Sequence, residues 1–537
     1  MVFPRRSLFA LPLIVLACSI VGGFYGPRVA SVAAASAEPI EDLDKDVEGF
    51  SRVLALVEQN FADKLSSDKT IYKGAIPGML RTLDPHSNFF DAREYQLMRE
   101  DQKGHYYGVG MQVGPQPNGK TAVKAPFPGS PAYRAGIRPG DIIISVNDHP
   151  TENLNTTEIA DLLKGPRGTA VKIVISREGT PDFMTFTVVR DEISRKSVQD
   201  AFWVKPGIAF VKILSFNETT SKELIENLRR LKPDESEFSG LILDLRDNPG
   251  GLLNEGVAVA DHFLPKGDLI VSHRGRSAPE KAYVAQRGNR GRDFPMVVLV
   301  NRYSASAAEI VSGALQDHDR ALILGETTFG KGLVQTVYPM GEGTGLALTW
   351  AHFYTPSGRL IQRDYSNKSF FDYYYHRDEN ARNPVDVKQT EGGRTVYGGG
   401  GITPDEKFDS SKLDRLQTEL LRTGLFNFTR SYFASHSTQL PKGWMPDDTV
   451  MADLRKYLHE HGTQFKDEDF NKHAAWTKRF LTREMYTTAF NVDEADAMFL
   501  RIDPEVEKAV ELMPKAAALS ANAKRVVAQR MASRGQR

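Results

Sequence analysis

Two residues invite a chemical reading before any fold is assigned. One is Lys331, set between Gly330 and Gly332; the other is Ser306, which follows the apolar run Pro295–Asn301. A lysine accepts a proton only when neutral, and its ordinary pKa is about 10.4. Bringing that to about 7 takes roughly 4 to 5 kcal/mol of differential solvation, supplied chiefly by burial. Gly325-Glu-Thr-Thr-Phe-Gly-Lys331 also fits the G-x-x-x-x-G-K phosphate loop. Gly332 stands where that loop needs a hydroxyl, however, and Val334–Pro339 reads as a strand where it needs a helix. Ser306-x-x-Glu309 has the spacing of a capping box, which also places the serine hydroxyl at the positive end of a helix, beside N–H groups able to hold an oxyanion. Taken singly, Lys331 can be an ordinary loop lysine and Ser306 an ordinary helix cap.

Other nucleophile and metal chemistries find less support. Cys18 is the only cysteine, so the body of the chain has no disulfide, thiolate zinc site or cysteine nucleophile. There is no G-x-S-x-G elbow. His459-Glu-His461 falls two positions short of H-E-x-x-H. Asp247, near the Gly250-Gly251 pair, suits a turn. With 68 basic and 68 acidic residues the net charge is zero, which provides no general field for nucleic acid.

These residues must be positioned by several domains, because 537 residues exceed what one core organises. Residues 1–37 read as an address: Arg5-Arg6, an apolar run Leu8–Tyr25, and Ala35-Ser36-Ala37 as a cleavage site. The run is long enough either to be removed as a signal peptide or to stay as a membrane anchor. Over 38–105 the pattern is helical, with Phe50, Val53, Leu54, Val57 and Phe61 on one stripe. Over 106–191 it alternates like strands, with turns at Pro139-Gly140 and Gly165-Pro-Arg-Gly168. Over 192–409 strands and helices alternate, with buried strands at Leu241–Leu245 and Pro295–Asn301 and active-site-like turns at their ends. Residues 410–537 are helical again, with Asp503-Pro504-Glu505 as a helix start.

Two resemblances give these pieces a shape. Ser130-Pro-Ala-x-x-Ala-Gly-Ile-x-x-Gly-Asp-x-Ile, ending at Asn147, resembles a PDZ domain. In such domains the loop here formed by Tyr107, Gly108, Val109 and Gly110 receives a terminal carboxylate, and the peptide adds as an edge strand. Ser-Ala-Ser306-Ala, Gly-Lys331-Gly 25 residues later, Gln335 four further on and Asp-Asn-Pro-Gly-Gly251 upstream resemble the carboxyl-terminal processing peptidases, family S41 of serine proteases.

The resemblance covers about residues 48–405 and implies an α+β multidomain fold. Its parts are a helical N-terminal cap, a PDZ β-barrel, a crotonase-like α/β protease core and a helical C-terminal region. It implies Ser306 as nucleophile, Lys331 as general base, Gln335 as its orienter, and N–H groups of Gly250 or Gly251 and Ala307 as the oxyanion hole. It further implies no metal or other cofactor, and exported, periplasmic or extracytoplasmic substrates with apolar C-terminal tails. A membrane anchor and a homo-oligomer stay open, and a proteolytically inactive PDZ scaffold is the alternative. The segment 363–397, with Phe370-Phe-Asp-Tyr-Tyr-Tyr375, and residues 410–537 depart from the family pattern.

Overall fold

A computed structural model describes residues 41–534, apart from 67, 117, 200, 233–237, 277–278, 367, 376–385 and 409–412. The 1–37 segment therefore lies outside the described residues. The chain forms two compact units, one ending at Met79 and one starting at Leu80. In the first, helix α1 (Glu41–Asn60) carries the expected apolar stripe, and Phe50, Val53 and Val57 are solvent-exposed.

The stretch 38–105, expected to be a helical cap, also contains a strand. From Leu80 onward the chain belongs to the second unit, where β1 (Asn88–Phe90) pairs antiparallel with β14 (Gly345–Tyr354). A three-residue strand leaves no periodic trace in sequence, and its partner is some 260 residues away.

Helix α2 (Ala92–Lys103) is closed by an Asp91–Glu94 capping box and by Gly104 in the left-handed region. Strand β2 (His105–Gly108) then leads into the PDZ domain. Its sheet runs in the order β3 (Met111–Pro115), β4 (Thr121–Pro126), β5 (Ile142–Val146), β6 (Ala170–Ser176) and β7 (Met184–Val189), all antiparallel. Helix α3 (Thr156–Leu163) closes the domain with Ile159 fully buried against Val123, Ile143, Val171 and Ile173. Strand β8 (Asp191–Ser194) returns to pair with β2. Strand β3 is left at the edge of the PDZ sheet.

The α/β core expected over 192–409 is a mainly parallel sheet. Its order is Phe202–Lys205, β9 (Ile208–Lys212), β10 (Gly240–Asp244), β11 (Met296–Val300), β12 (Leu322–Gly325) and Glu406–Lys407. Strands β10 and β11 are buried throughout, as strands covered on both faces must be. Alternation sorts their side chains. Leu241, Leu243 and Val298 face α4 (Leu253–Asp261) and α5 (Ala307–Asp317), while Ile242, Val297 and Leu299 join Val506, Ala509 and Met513 on the opposite face. A second sheet sets β1 and β13 (Leu333–Pro339) beside β14. Helix α6 (Phe370–Tyr375) lies between β14 and the Val387–Gln389 strand.

The C-terminal region has two jobs in the fold. Helices α7 (Leu425–Ser435), α8 (Asp448–Glu460) and α9 (Ala474–Ala489) build a small core of their own around Leu454, Leu458, Leu481 and Met485. After α10 (Val492–Arg501), helices α11 (Pro504–Glu511) and α12 (Met513–Arg534) cover the second face of the core sheet. Arg246, at the end of β10, ties the layers together by pairing with Asp503 at 3.0 Å and Glu505 at 2.7 Å. His459 stacks on Phe465 and His461 on Tyr457.

Candidate active site

Ser306 sits between strand β11 and helix α5 with φ 54° and ψ −113°, outside the conformations an L-residue ordinarily adopts. Such strain persists only where neighbours hold it, and is a mark of functional turns. Two interlocked turns hold it here. Ser304 Oγ donates to the Leu245 carbonyl at 2.7 Å, and Ala305 N–H donates to the Asn248 carbonyl at 2.9 Å. Gly250 is pressed so close that a Cβ on it would stand 2.7 Å from Ser306 Cβ and 3.0 Å from the Ala307 nitrogen. Asp247 takes a positive φ in the same turn and is tied to Asn301 at 2.8 Å, so it serves the turn, as its sequence context suggested.

The three backbone N–H groups expected as oxyanion donors are not equivalent. Gly250 N–H donates to Asn248 Oδ1 at 2.8 Å and is already used. Gly251 N–H and Ala307 N–H have no acceptor among the described residues. The Gly251 backbone is held by Phe216, whose N–H donates to the Gly250 carbonyl at 2.9 Å and whose carbonyl accepts from Leu252 N–H at 2.7 Å.

Glu309 connects the serine turn to the lysine turn, a role that the capping-box spacing alone does not reveal. It is fully buried on α5. Its Oε2 accepts the N–H of Ser306 at 2.9 Å and that of Lys331 at 2.8 Å, so those two nitrogens lie at most about 5.7 Å apart. Its Oε1 accepts from Gly330 N–H at 2.7 Å and from the Thr328 hydroxyl. Burial pushes the Glu309 carboxyl up, and these donors act against that.

The glycines beside Lys331 answer to tight packing. A Cβ on Gly330 would meet Arg363 Cβ at 2.9 Å, and one on Gly332 would meet the Gln362 nitrogen at 2.8 Å. Lys331 Nζ donates to Gln335 Oε1 at 2.9 Å, and Gln335 Nε2 donates to the His86 carbonyl at 2.8 Å. Gln335 follows a register shift in the β13–β14 ladder, the kind of bulge that re-aims a side chain. Burial pulls the Lys331 ammonium below its ordinary range, partly offset by the Asp84 and Glu309 carboxylates. His86 is pulled down to about 3, first by burial and then by Lys331, so its ring is neutral. Asp84 and His86 are residues of this neighbourhood that sequence reasoning missed.

A cleft of about 1330 Å³ runs between the PDZ domain and the core. Its walls include Gln112 and Phe127 of the PDZ domain, Leu97 and Met98 of α2, and Phe216 and Gly251 of the core. Of the four loop residues expected to receive a carboxylate, Tyr107 and Gly108 instead sit in the β2–β8 ladder. Val109 and Gly110 N–H groups have no acceptor among the described residues. Gly110 has φ 77°, and a Cβ there would strike Ser130 Cβ at 2.4 Å.

Comparison with known proteins agrees with this architecture. Residues 207–366 match the model of peptidase family S41, and residues 123–177 match a PDZ domain model. The "Carboxy-terminal-processing protease" of Bartonella bacilliformis is 40% identical over 302 residues, covering 56% of this chain and 68% of that protein. The chain belongs to peptidase family S41. "Carboxy-terminal processing protease CtpB" of Bacillus subtilis is 31% identical, covering 63% of this chain and 70% of that protein. The "Carboxyl-terminal-processing protease" of Synechocystis is 37% identical, covering 54% and 68%. The protein is thus a carboxyl-terminal processing protease of family S41 with a PDZ domain. No helix among the described residues is long and apolar enough to cross a membrane.

Proposed function

We propose that this S41 protease is an exported serine endopeptidase working through Ser306 and Lys331. The observation that carries the proposal is Glu309 Oε2, which holds the backbones of both residues while burial depresses the Lys331 ammonium. Neutral Lys331 Nζ takes the proton as Ser306 Oγ adds to the scissile carbonyl. The oxyanion is held by Gly251 and Ala307 N–H, which are preorganised and pay no reorganisation cost. Collapse passes the lysine proton to the leaving amine and leaves an acyl-enzyme. Water attacks that ester as Lys331 removes its proton, and a second collapse frees the new carboxyl terminus and restores Ser306.

A substrate tail enters at the PDZ domain. Its carboxylate is taken by Val109 and Gly110 N–H and its backbone is added along β3, the unpaired edge. An apolar last residue suits the PDZ core, and the preceding chain follows the cleft toward Gly251. The 1–37 segment directs the protein out of the cytoplasm.

The test is cleavage of an unfolded substrate ending in an apolar tail by the intact chain. Ser306→Ala and Lys331→Ala should each abolish it, and amidating the tail should raise KM. Proteolysis that survives Lys331→Ala refutes the Ser-Lys assignment.

A further inference from the structure

We infer that α6, in the segment that departs from the family pattern, positions the Lys331 amine through His86 and Gln335. This rests on the Ser306–Lys331 reading above.

The connection is continuous. His86 Nε2 lies 3.0 Å from the Tyr373 hydroxyl, and His86 Nδ1 lies 3.1 Å from the Tyr374 hydroxyl. Both tyrosine rings also meet the imidazole edge-on, at 5.5 and 5.9 Å between centroids. A neutral imidazole has one donor and one acceptor nitrogen, and the two hydroxyls supply one partner for each. The main chain of His86 is equally constrained. Its N–H donates to Asp84 Oδ1 at 2.7 Å, and its carbonyl accepts from Gln335 Nε2 at 2.8 Å. The tyrosines are themselves anchored. Tyr373 OH accepts from Gln362 Nε2 at 3.2 Å, its carbonyl accepts from Arg363 at 2.6 Å, and Tyr374 OH donates to the Pro85 carbonyl at 3.1 Å.

The chemical consequence lies in which way the Gln335 amide faces. A carbonyl can only accept, so the His86 carbonyl claims the NH₂ end of Gln335. The oxygen end is left for Lys331, where Nζ donates to it at 2.9 Å. Neutral Lys331 thereby spends a hydrogen on Gln335 and keeps its lone pair for a proton coming from Ser306. A reversed amide would offer Lys331 a donor, and the lone pair would be drawn to Gln335 instead. Tyr373 and Tyr374 thus act as positioning residues. Their hydroxyls hold the ring of the residue whose carbonyl selects the amide orientation.

The experiment compares pH–rate profiles of the full chain under single-turnover conditions. The variants are Tyr373→Phe/Tyr374→Phe, Gln335→Ala, the triple combination, Tyr375→Phe and Lys331→Ala. The double variant should lose about tenfold in kcat with KM within twofold of wild type. Its rising pH limb should move to lower pH, as for Gln335→Ala, because an ammonium without its acceptor gives up its proton more readily. Adding Gln335→Ala to it should cost little more, since residues acting through one group are not additive. Tyr375→Phe, on the same helix with an exposed side chain, should behave as wild type. An unchanged kcat and pH limb in the double variant overturns the inference. So does a loss that multiplies in full with Gln335→Ala, or an equal loss in Tyr375→Phe. An active Lys331→Ala would instead overturn the Ser-Lys reading itself, whatever the tyrosines do.

Discussion

Glu309 Oε2 accepts the backbone N–H of Lys331 at 2.8 Å, across 22 residues of sequence. The same oxygen accepts the N–H of Ser306, and the other oxygen takes Gly330 and Thr328. One buried carboxylate therefore sets the separation between the serine turn and the lysine turn. All four partners are donors, a pattern only a group with two acceptor oxygens satisfies.

Glu309→Gln tests this nearly without change of volume. Its NH₂ must face either the Ser306 and Lys331 N–H groups or the Gly330 N–H and Thr328 hydroxyl, leaving at least one N–H without its acceptor at a cost of about 1–3 kcal/mol. The variant should unfold at lower temperature and cleave at least tenfold more slowly, with KM little changed. Wild-type kcat in a folded Glu309→Gln protein would show that the bridge does not set the catalytic spacing.

How far the sequence revealed this site follows from the range of each contact. The Ser306-x-x-Glu309 spacing marks a helix start, because capping is local. What the second Glu309 oxygen does was not legible, since the 328–331 loop reaches it only once β11, α5 and β12 have packed. The Gly250-Gly251 pair reads as a turn, yet which N–H stays free depends on the Asn248 side chain turning back onto Gly250. Gly330 and Gly332 flank the lysine because Gln362 and Arg363 pass within contact distance, a long-range cause with no local sign. For the same reason β1 was hidden within a helical stretch. The C-terminal region showed helix caps and stripes but not that Val506 and Met513 would cover the second face of the core sheet.

Activity should rise with pH. Lys331 works as a base only when deprotonated, and burial holds its pKa below the usual lysine value. The rising limb of the single-turnover rate should therefore have its midpoint below about 10.4. Lys331→Arg, whose guanidinium stays charged, should lose about a thousandfold at every pH. A rate flat from pH 5 to 9, with chemistry limiting, would argue for a different base.

His318 should make stability fall on the alkaline side. Burial disfavours its charged ring, but Glu391 at 2.8 Å and the Leu269 carbonyl at 2.7 Å outweigh this and raise the pKa to about 9. The unfolded value is about 6.5, so the contribution is fully present below pH 6.5 and is lost as pH rises through about 9. It is at most on the order of 3 kcal/mol. Between pH 6 and pH 9.5 the wild-type melting temperature should fall more than that of His318→Gln. Parallel declines in the two proteins would remove His318 as the cause.

Gly251 tests the oxyanion hole most directly. Its φ of 143° is open to glycine, and a Cβ there would lie 2.1 Å from the Phe216 carbonyl oxygen, too close for any atom. Gly251→Ala must push the turn away from Phe216, and the N–H beside Ser306 moves with it. Losing one such donor typically costs about a hundred- to a thousandfold in kcat. Gly250 N–H is held by Asn248, so Asn248→Ala supplies the contrast. It releases the Gly250 N–H and loosens the turn without placing an atom against Phe216. Gly251→Ala should therefore lose kcat out of proportion to its loss of melting temperature, and Asn248→Ala should lose the two together. If Gly251→Ala falls in kcat only as far as its stability falls, its N–H is not an oxyanion donor, and Ala307 acts with some other group.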